Sequence, residues 1–161
     1  MRRRRSSPRN QQRSRLKAQG SGLEQLSPAS SLEPRAIFNL PIGCGVDVVE
    51  LDRFIRSMKR GGAKFMRRVF TPHEEAYARA RRRTTALHLA GRFAAKEAII
   101  KAISQVNPAR VPAMNRIEIR NDQLGRPRAV LLDGRRTTFR VYVSLSHVDT
   151  VAVASAIVIR R

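Results

Sequence analysis

The apolar positions change period twice along the chain. The run Ile42-Gly-Cys-Gly-Val-Asp-Val-Val-Glu-Leu51 is short, β-branched and broken by glycine, which predicts a buried strand. From Asp52 to about Lys59 the spacing becomes helical. Phe54, Ile55 and Met58 fall on one side and Arg53, Arg56 and Arg60 on the other, until Gly61-Gly62 breaks or bends the chain. Thr71-Pro-His-Glu74 reads as a helix start: a threonine cap, proline at the first helical position and glutamate to close a capping box. That helix should run to about Arg83, and a longer one, built on the helix formers of Ala-Gly-Arg-Phe-Ala-Ala-Lys-Glu-Ala-Ile-Ile-Lys-Ala, from about Ala86 to Ser104.

After that the period drops to two. Ile117 and Ile119 alternate with charged residues, Asn121 to Pro127 is a turn, Ala129 to Leu132 a strand, and Asp133-Gly134 another turn. Phe139, Val141, Val143 and Leu145 alternate in a further strand, and Val151 to Ile159 forms the last. Strands joined by short turns favour antiparallel pairing. The predicted class is α+β, a single domain with helices packed on an antiparallel β-meander.

Charge divides the chain. Lys and Arg number 33 against 12 Asp and Glu, a formal net charge of +21 in 161 residues. Residues 1–35 hold nine basic and two acidic side chains, are Ser-, Gln- and Gly-rich over much of their length, and show no sustained apolar periodicity. They read as a disordered basic extension, while 36–161 form the folded domain at a net +14. The extension has no apolar segment of the kind a secretory signal needs. Its Arg/Ser-rich, acid-poor makeup overlaps with organelle transit peptides, so organellar targeting stays open beside a plain solvated tail. No apolar run is long enough to span a bilayer, which predicts no membrane partner. One cysteine excludes an internal disulfide, and three histidines with it are too few for a His/Cys zinc site. So large a positive charge raises a nucleic-acid-binding protein as an alternative reading. Against it, the strands offer no platform of stacking aromatics, and no helix-turn-helix or zinc-finger pattern is present.

Three places do not fit a plain core. Asp47 stands inside an apolar strand, where a carboxylate must face outward, cap the next helix, or meet a cation. Glu97 and Lys101 are i,i+4 neighbours on the long helix, in the Glu-first order that suits a surface ion pair, yet Phe93 and Ala90 share their face. Val141-Tyr-Val-Ser-Leu-Ser-His147 ends a strand in two hydroxyls and an imidazole that could donate to an anion. Two carboxylates from separate elements with Lys and Arg nearby suit Mg²⁺, which takes few protein ligands and keeps waters and phosphates.

Taken together, Gly43-Cys-Gly-Val-Asp47-Val-Val-Glu-Leu, Phe70-Thr-Pro-His-Glu74, Leu89-Ala-Gly-Arg-Phe-Ala-Ala-Lys-Glu-Ala-Ile-Ile-Lys101, Ile117-Glu-Ile-Arg-Asn-Asp-Gln-Leu-Gly-Arg-Pro127 and Val143-Ser-Leu-Ser-His147 resemble the holo-acyl-carrier-protein synthases, the small bacterial-type 4′-phosphopantetheinyl transferases. The resemblance spans about residues 42–160. It implies a cytoplasmic enzyme that moves 4′-phosphopantetheine from coenzyme A to a serine of acyl carrier protein, for fatty acid or polyketide biosynthesis, releasing adenosine 3′,5′-bisphosphate. By the same resemblance Asp47 and Glu97 are Mg²⁺ ligands and Lys101 contacts the pyrophosphate, the three forming the catalytic set. Arg92, Lys96, Lys101, Ser146 and His147 line the coenzyme A site, and the site lies between subunits of a homotrimer. Arg53, Arg56, Met58, Lys64, Phe65 and Arg68 occupy the region that docks the acidic carrier protein. Two positions depart from the pattern: Tyr142 stands where the family usually has His, and Val49 is apolar where the larger two-lobed transferases carry a further acid.

Overall fold

The computed structural model describes residues 41–132 and 138–161. The predicted extension at 1–35, the start of the predicted domain at 36–40, and the predicted Asp133-Gly134 turn lie outside the described residues. Eight principal elements follow one another: β1 (Ile42–Glu50), α1 (Leu51–Val69), α2 (Pro72–Arg79), α3 (Thr85–Val106), β2 (Ile117–Asn121), β3 (Pro127–Leu131), β4 (Phe139–His147) and β5 (Val151–Arg160).

Each element forms for reasons visible in its residues. The capping box at α2 is complete: Glu74 N–H donates to Thr71 Oγ1 and Thr71 N–H donates back to Glu74 Oε2. That helix ends at Arg79, four residues short of the expected end, and a 3₁₀ turn, Arg82–Thr84, carries the Arg run into α3. The Gly61-Gly62 pair bends α1 rather than ending it. Gly62 takes φ +50°, a left-handed value open to glycine, and the helix resumes as far as Val69.

The α+β class is as the periodicity predicts, and pairing is antiparallel throughout. The strands form two sheets, however, not one running meander. β2 and β3 make a hairpin of their own, and the three-stranded sheet has the order β1-β5-β4. Local alternation cannot show that β1 returns to pair with the last strand, because that contact joins the two ends of the domain.

α3 is buried on nearly every side and carries the core. It lies against the three-stranded sheet through small residues. On β5 the inward positions are Ala152, Ala154, Ala156 and Val158, all buried. On β1 the inward positions Gly43 and Gly45 touch helix backbone: a Cβ at Gly45 would sit 2.1 Å from the Ala98 carbonyl oxygen. The helix backbone cannot yield as a flexible side chain would. Gly45→Ala is therefore expected to destabilise the domain by about 3 kcal/mol, read as a lower urea midpoint. An unchanged midpoint would disprove this close approach.

Candidate active site

The inward row of β1 continues from Gly43 and Gly45 to Asp47 and Val49, so strand alternation aims Asp47 at α3. There it meets the face bearing Phe93, Glu97 and Lys101. Lys101 Nζ donates to Asp47 Oδ1 at 2.8 Å and to the Val46 carbonyl at 3.0 Å. The lysine thus reaches across to the strand instead of pairing with Glu97 one turn back. Asp47 neither faces outward nor caps α1. The first residue of that helix is held by Leu51 N–H donating to the Thr150 carbonyl, and no side-chain cap is present.

Asp47 and Glu97 line an open groove of about 430 Å³. Its floor is aromatic. Phe54 packs against Phe65 and Phe93 with ring centroids 6.2 and 5.5 Å away, and Arg53 lines the rim. Burial, and then the neighbouring Asp47 charge, hold the Glu97 carboxyl above the ordinary glutamate range, while Lys101 opposes them. Two carboxylates that repel each other, with only partial relief from one lysine, form a place where a cation would be stabilised. Among the described residues no group of three or more His, Cys, Asp or Glu gathers in one place. A metal held here would take two protein carboxylates and draw its other ligands from water or phosphate, which fits the donor set of Mg²⁺.

Further along the domain, Arg92 and His147 both border His88. The Arg92 guanidinium lies 3.8 Å from the centre of the Tyr77 ring and donates to Asn121 Oδ1 at 2.9 Å. His147 stands edge-on to His88 at 5.7 Å. Burial first, then Arg81, Arg92 and His147, push the His88 imidazole below its ordinary value, so the ring favours its neutral form beside two guanidinium groups. Arg92 is almost wholly buried, yet its Nε has no partner. Tyr77 and His88 were not legible as site residues. Their only sequence signal is that His88 lies one helical turn before Arg92.

Two expected coenzyme A residues stand elsewhere. Lys96 is wholly buried and its ammonium is already engaged, 2.5 Å from both Glu74 Oε2 and the Val69 carbonyl oxygen. One residue before Glu97, it points about 100° away around the helix. It is not among the residues that line the groove. Ser146 pairs with Val153, which pairs with Val48, on the outward face of the sheet. Within one chain the sheet itself separates Ser146 from Asp47 and Glu97.

Of the expected docking residues, Arg53, Arg56, Lys64 and Arg68 are exposed on α1, while Met58 and Phe65 are partly buried against the core. Phe65 also joins Gly61, Lys64 and Arg68 around a second hollow of about 260 Å³ beside the helix bend.

The family model of the 4′-phosphopantetheinyl transferase superfamily matches residues 43–156. A curated holo-[acyl-carrier-protein] synthase of Moorella thermoacetica is 43% identical over 120 residues, covering 71% of this chain and 91% of the relative. That of Protochlamydia amoebophila is 36% identical over 121 residues, covering 73% and 98%. Among solved structures, the ACPS–coenzyme A complex of Chronobacterium ammoniagenes superimposes with a TM-score of 0.63 at 31% identity, covering 74% of this chain and 98% of that one. The Bacillus anthracis holo-(acyl-carrier-protein) synthase in complex with CoA (3′,5′-ADP) gives 0.60 at 32% identity, covering 74% and 96%.

Proposed function

The chain belongs to the 4′-phosphopantetheinyl transferase superfamily, among the holo-[acyl-carrier-protein] synthases, and we propose that it transfers 4′-phosphopantetheine from coenzyme A to a serine of an acyl carrier protein. The observation that carries this reading is the meeting of Asp47, Glu97 and Lys101 from two separate elements, with both carboxylates lining an aromatic groove.

The serine oxygen attacks the β-phosphorus of coenzyme A. A new P–O bond forms, the P–O bond to adenosine 3′,5′-bisphosphate breaks, and the serine proton departs toward the Glu97–Asp47 carboxylates. Phosphoryl-type transfer asks the protein chiefly for positioning and for charge near the phosphate oxygens. Lys101, fixed by Asp47 but half exposed, supplies a cation at that place. Asp47 and Glu97 would hold the Mg²⁺, whose contribution is neutralisation of pyrophosphate charge. The Arg92 guanidinium, with the ring nitrogens of His88 and His147 nearby as hydrogen-bond donors, suits the remaining phosphate of coenzyme A.

The Arg-studded face of α1 supports docking of an acidic carrier protein beside the groove, with its long-range field raising the association rate and weakening in salt. The outward sheet face, carrying Ser146, supports a homotrimer in which one subunit completes the site of the next. The reading carries with it a cytoplasmic enzyme serving fatty acid or polyketide synthesis. No helix among the described residues is long and apolar enough to cross a membrane.

The test is loading. Purified protein with coenzyme A, Mg²⁺ and an apo carrier should add one phosphopantetheine to the carrier, read by intact mass. A fatty-acid carrier and a polyketide carrier are to be tried side by side. No mass gain on either would reject the transferase reading. Binding to DNA that persists in the domain without residues 1–35, at physiological salt, would favour the nucleic-acid alternative.

A further inference from the structure

Lys96 sits in the centre of the motif Arg-Phe-Ala-Ala-Lys-Glu-Ala, yet the fold removes its ammonium from water altogether. Its partner Glu74 is equally buried. Both oxygens of Glu74 are occupied: Oε2 also accepts from Thr71 N–H and Oε1 from Ile119 N–H, each at 2.9 Å. Thr71 Oγ1 in turn donates to Glu118 Oε2 at 2.6 Å. One ammonium therefore ties the last residue of α1, the first turn of α2 and, through Glu74, the strand β2 to a single point on α3.

That point bears on the site because of helix geometry. The row His88, Arg92, Lys96 looks toward α2, while Phe93, Glu97 and Lys101 look toward β1 and α1. Toward the sheet α3 offers the small residues Gly91, Ala98 and Ala102. The ion pair at Lys96 restrains roll of the helix about its own axis, and its bond to the Val69 carbonyl fixes the end of α1 to the same turn. We infer that Lys96 is a positioning residue: it sets the roll of α3 so that Glu97 meets Asp47 beside a fixed α1, and it does not touch coenzyme A. The inference rests on the transferase reading. A misplacement of about 1 Å at a reacting group can cost about 100-fold in rate.

The chain has five lysines, at 17, 59, 64, 96 and 101, so a lysine-selective ¹³C NMR spectrum resolves the question in the unaltered protein. On addition of coenzyme A the Lys101 signal should move and the Lys96 signal should stay. Movement of Lys96 as large as that of Lys101 would overturn the inference. Kinetics give the second arm. Removing one member of a buried pair strands the other charge, so Lys96→Met is paired with Glu74→Gln. The double variant should bind coenzyme A within about threefold of the parent by calorimetry, because no ligand contact is lost. Its kcat should fall by about tenfold or more with KM for coenzyme A little changed. Recovery of parental kcat in the double variant would make the pair a stability device only and sink the proposal. A parent protein that neither binds coenzyme A nor loads a carrier fails differently, and rejects the transferase reading together with this one.

Discussion

Glu97→Gln is expected to lower carrier loading by about 10²–10³-fold while raising the melting temperature of the metal-free protein at neutral pH. The two effects have one origin. Burial and the Asp47 charge hold the Glu97 carboxyl above its ordinary range. As pH rises, the unfolded chain loses this proton before the folded one does, so the folded state binds more protons across that interval. Stability then falls as pH climbs from the ordinary glutamate value to the raised one, and above it the ionised carboxylate is a constant cost to the fold. Glutamine keeps the shape and removes that cost. The melting-temperature gap between variant and parent should therefore be small at low pH, open through this window, and stay open above it. Adding Mg²⁺ should close it from the parent's side, since a cation bound to the carboxylate pair stabilises only the folded parent. A pH series of thermal melts with and without Mg²⁺, beside a mass-based loading assay, reads both effects. A variant that loads within tenfold of the parent, or melts lower at neutral pH without metal, would remove Glu97 from the role given to it. Asp47→Asn is expected to lose loading as severely, but without the thermal gain, because it takes from Lys101 its nearest counter-charge.

The difference between these neighbours shows what the sequence could and could not reveal. The strand, the capping box, the long helix and the final hairpin all rest on local periodicity, and they form where the pattern places them, to within a few residues at most ends. Asp47 was conspicuous because a carboxylate in an apolar strand is costly, and Glu97 and Lys101 because they occupy a half-apolar helix face. The burial of Lys96 is hidden for the opposite reason. On the page it is one more cation in a basic motif, and only the partner brought from Glu74, 22 residues away, turns it inward. Glu74 itself was legible as a cap but not as the counter-ion of a buried lysine, since a capping box explains it completely. The pairing of β1 with β5, and the stacking of Arg92 on Tyr77, depend on contacts distant in sequence for which no periodicity gives a sign.

Val48→Glu is expected to convert the protein to monomers and to lower loading by at least about 100-fold; the side chain also borders the groove that holds Asp47 and Glu97. An antiparallel sheet with one covered face ordinarily alternates apolar inward with polar outward. Here the outward face is apolar as well: Val48 is 64% exposed, Val46 57%, Ile157 48% and Tyr142 48%. Cross-strand register sets these residues side by side, with Val48 beside Val153 and Tyr142 beside Ile157, so they form one patch. A continuous apolar patch on a sheet face that carries no helix among the described residues is covered most economically by a copy of itself, where three sheets can close about an axis. Ser146 lies in the same row as Val48, and would then stand at the boundary with a neighbouring chain's groove, which accounts for its distance from Asp47 within its own chain. A glutamate buried in that row would lie beside Val153 and Ser146, neither of which carries a charge, and each of three symmetry-related copies would bring the same carboxylate to the interface. Light scattering coupled to size exclusion reads the mass, and loading is measured on the same fractions. A parent that runs as a monomer, or a Val48→Glu protein that remains a trimer at full activity, would separate this face from the active site.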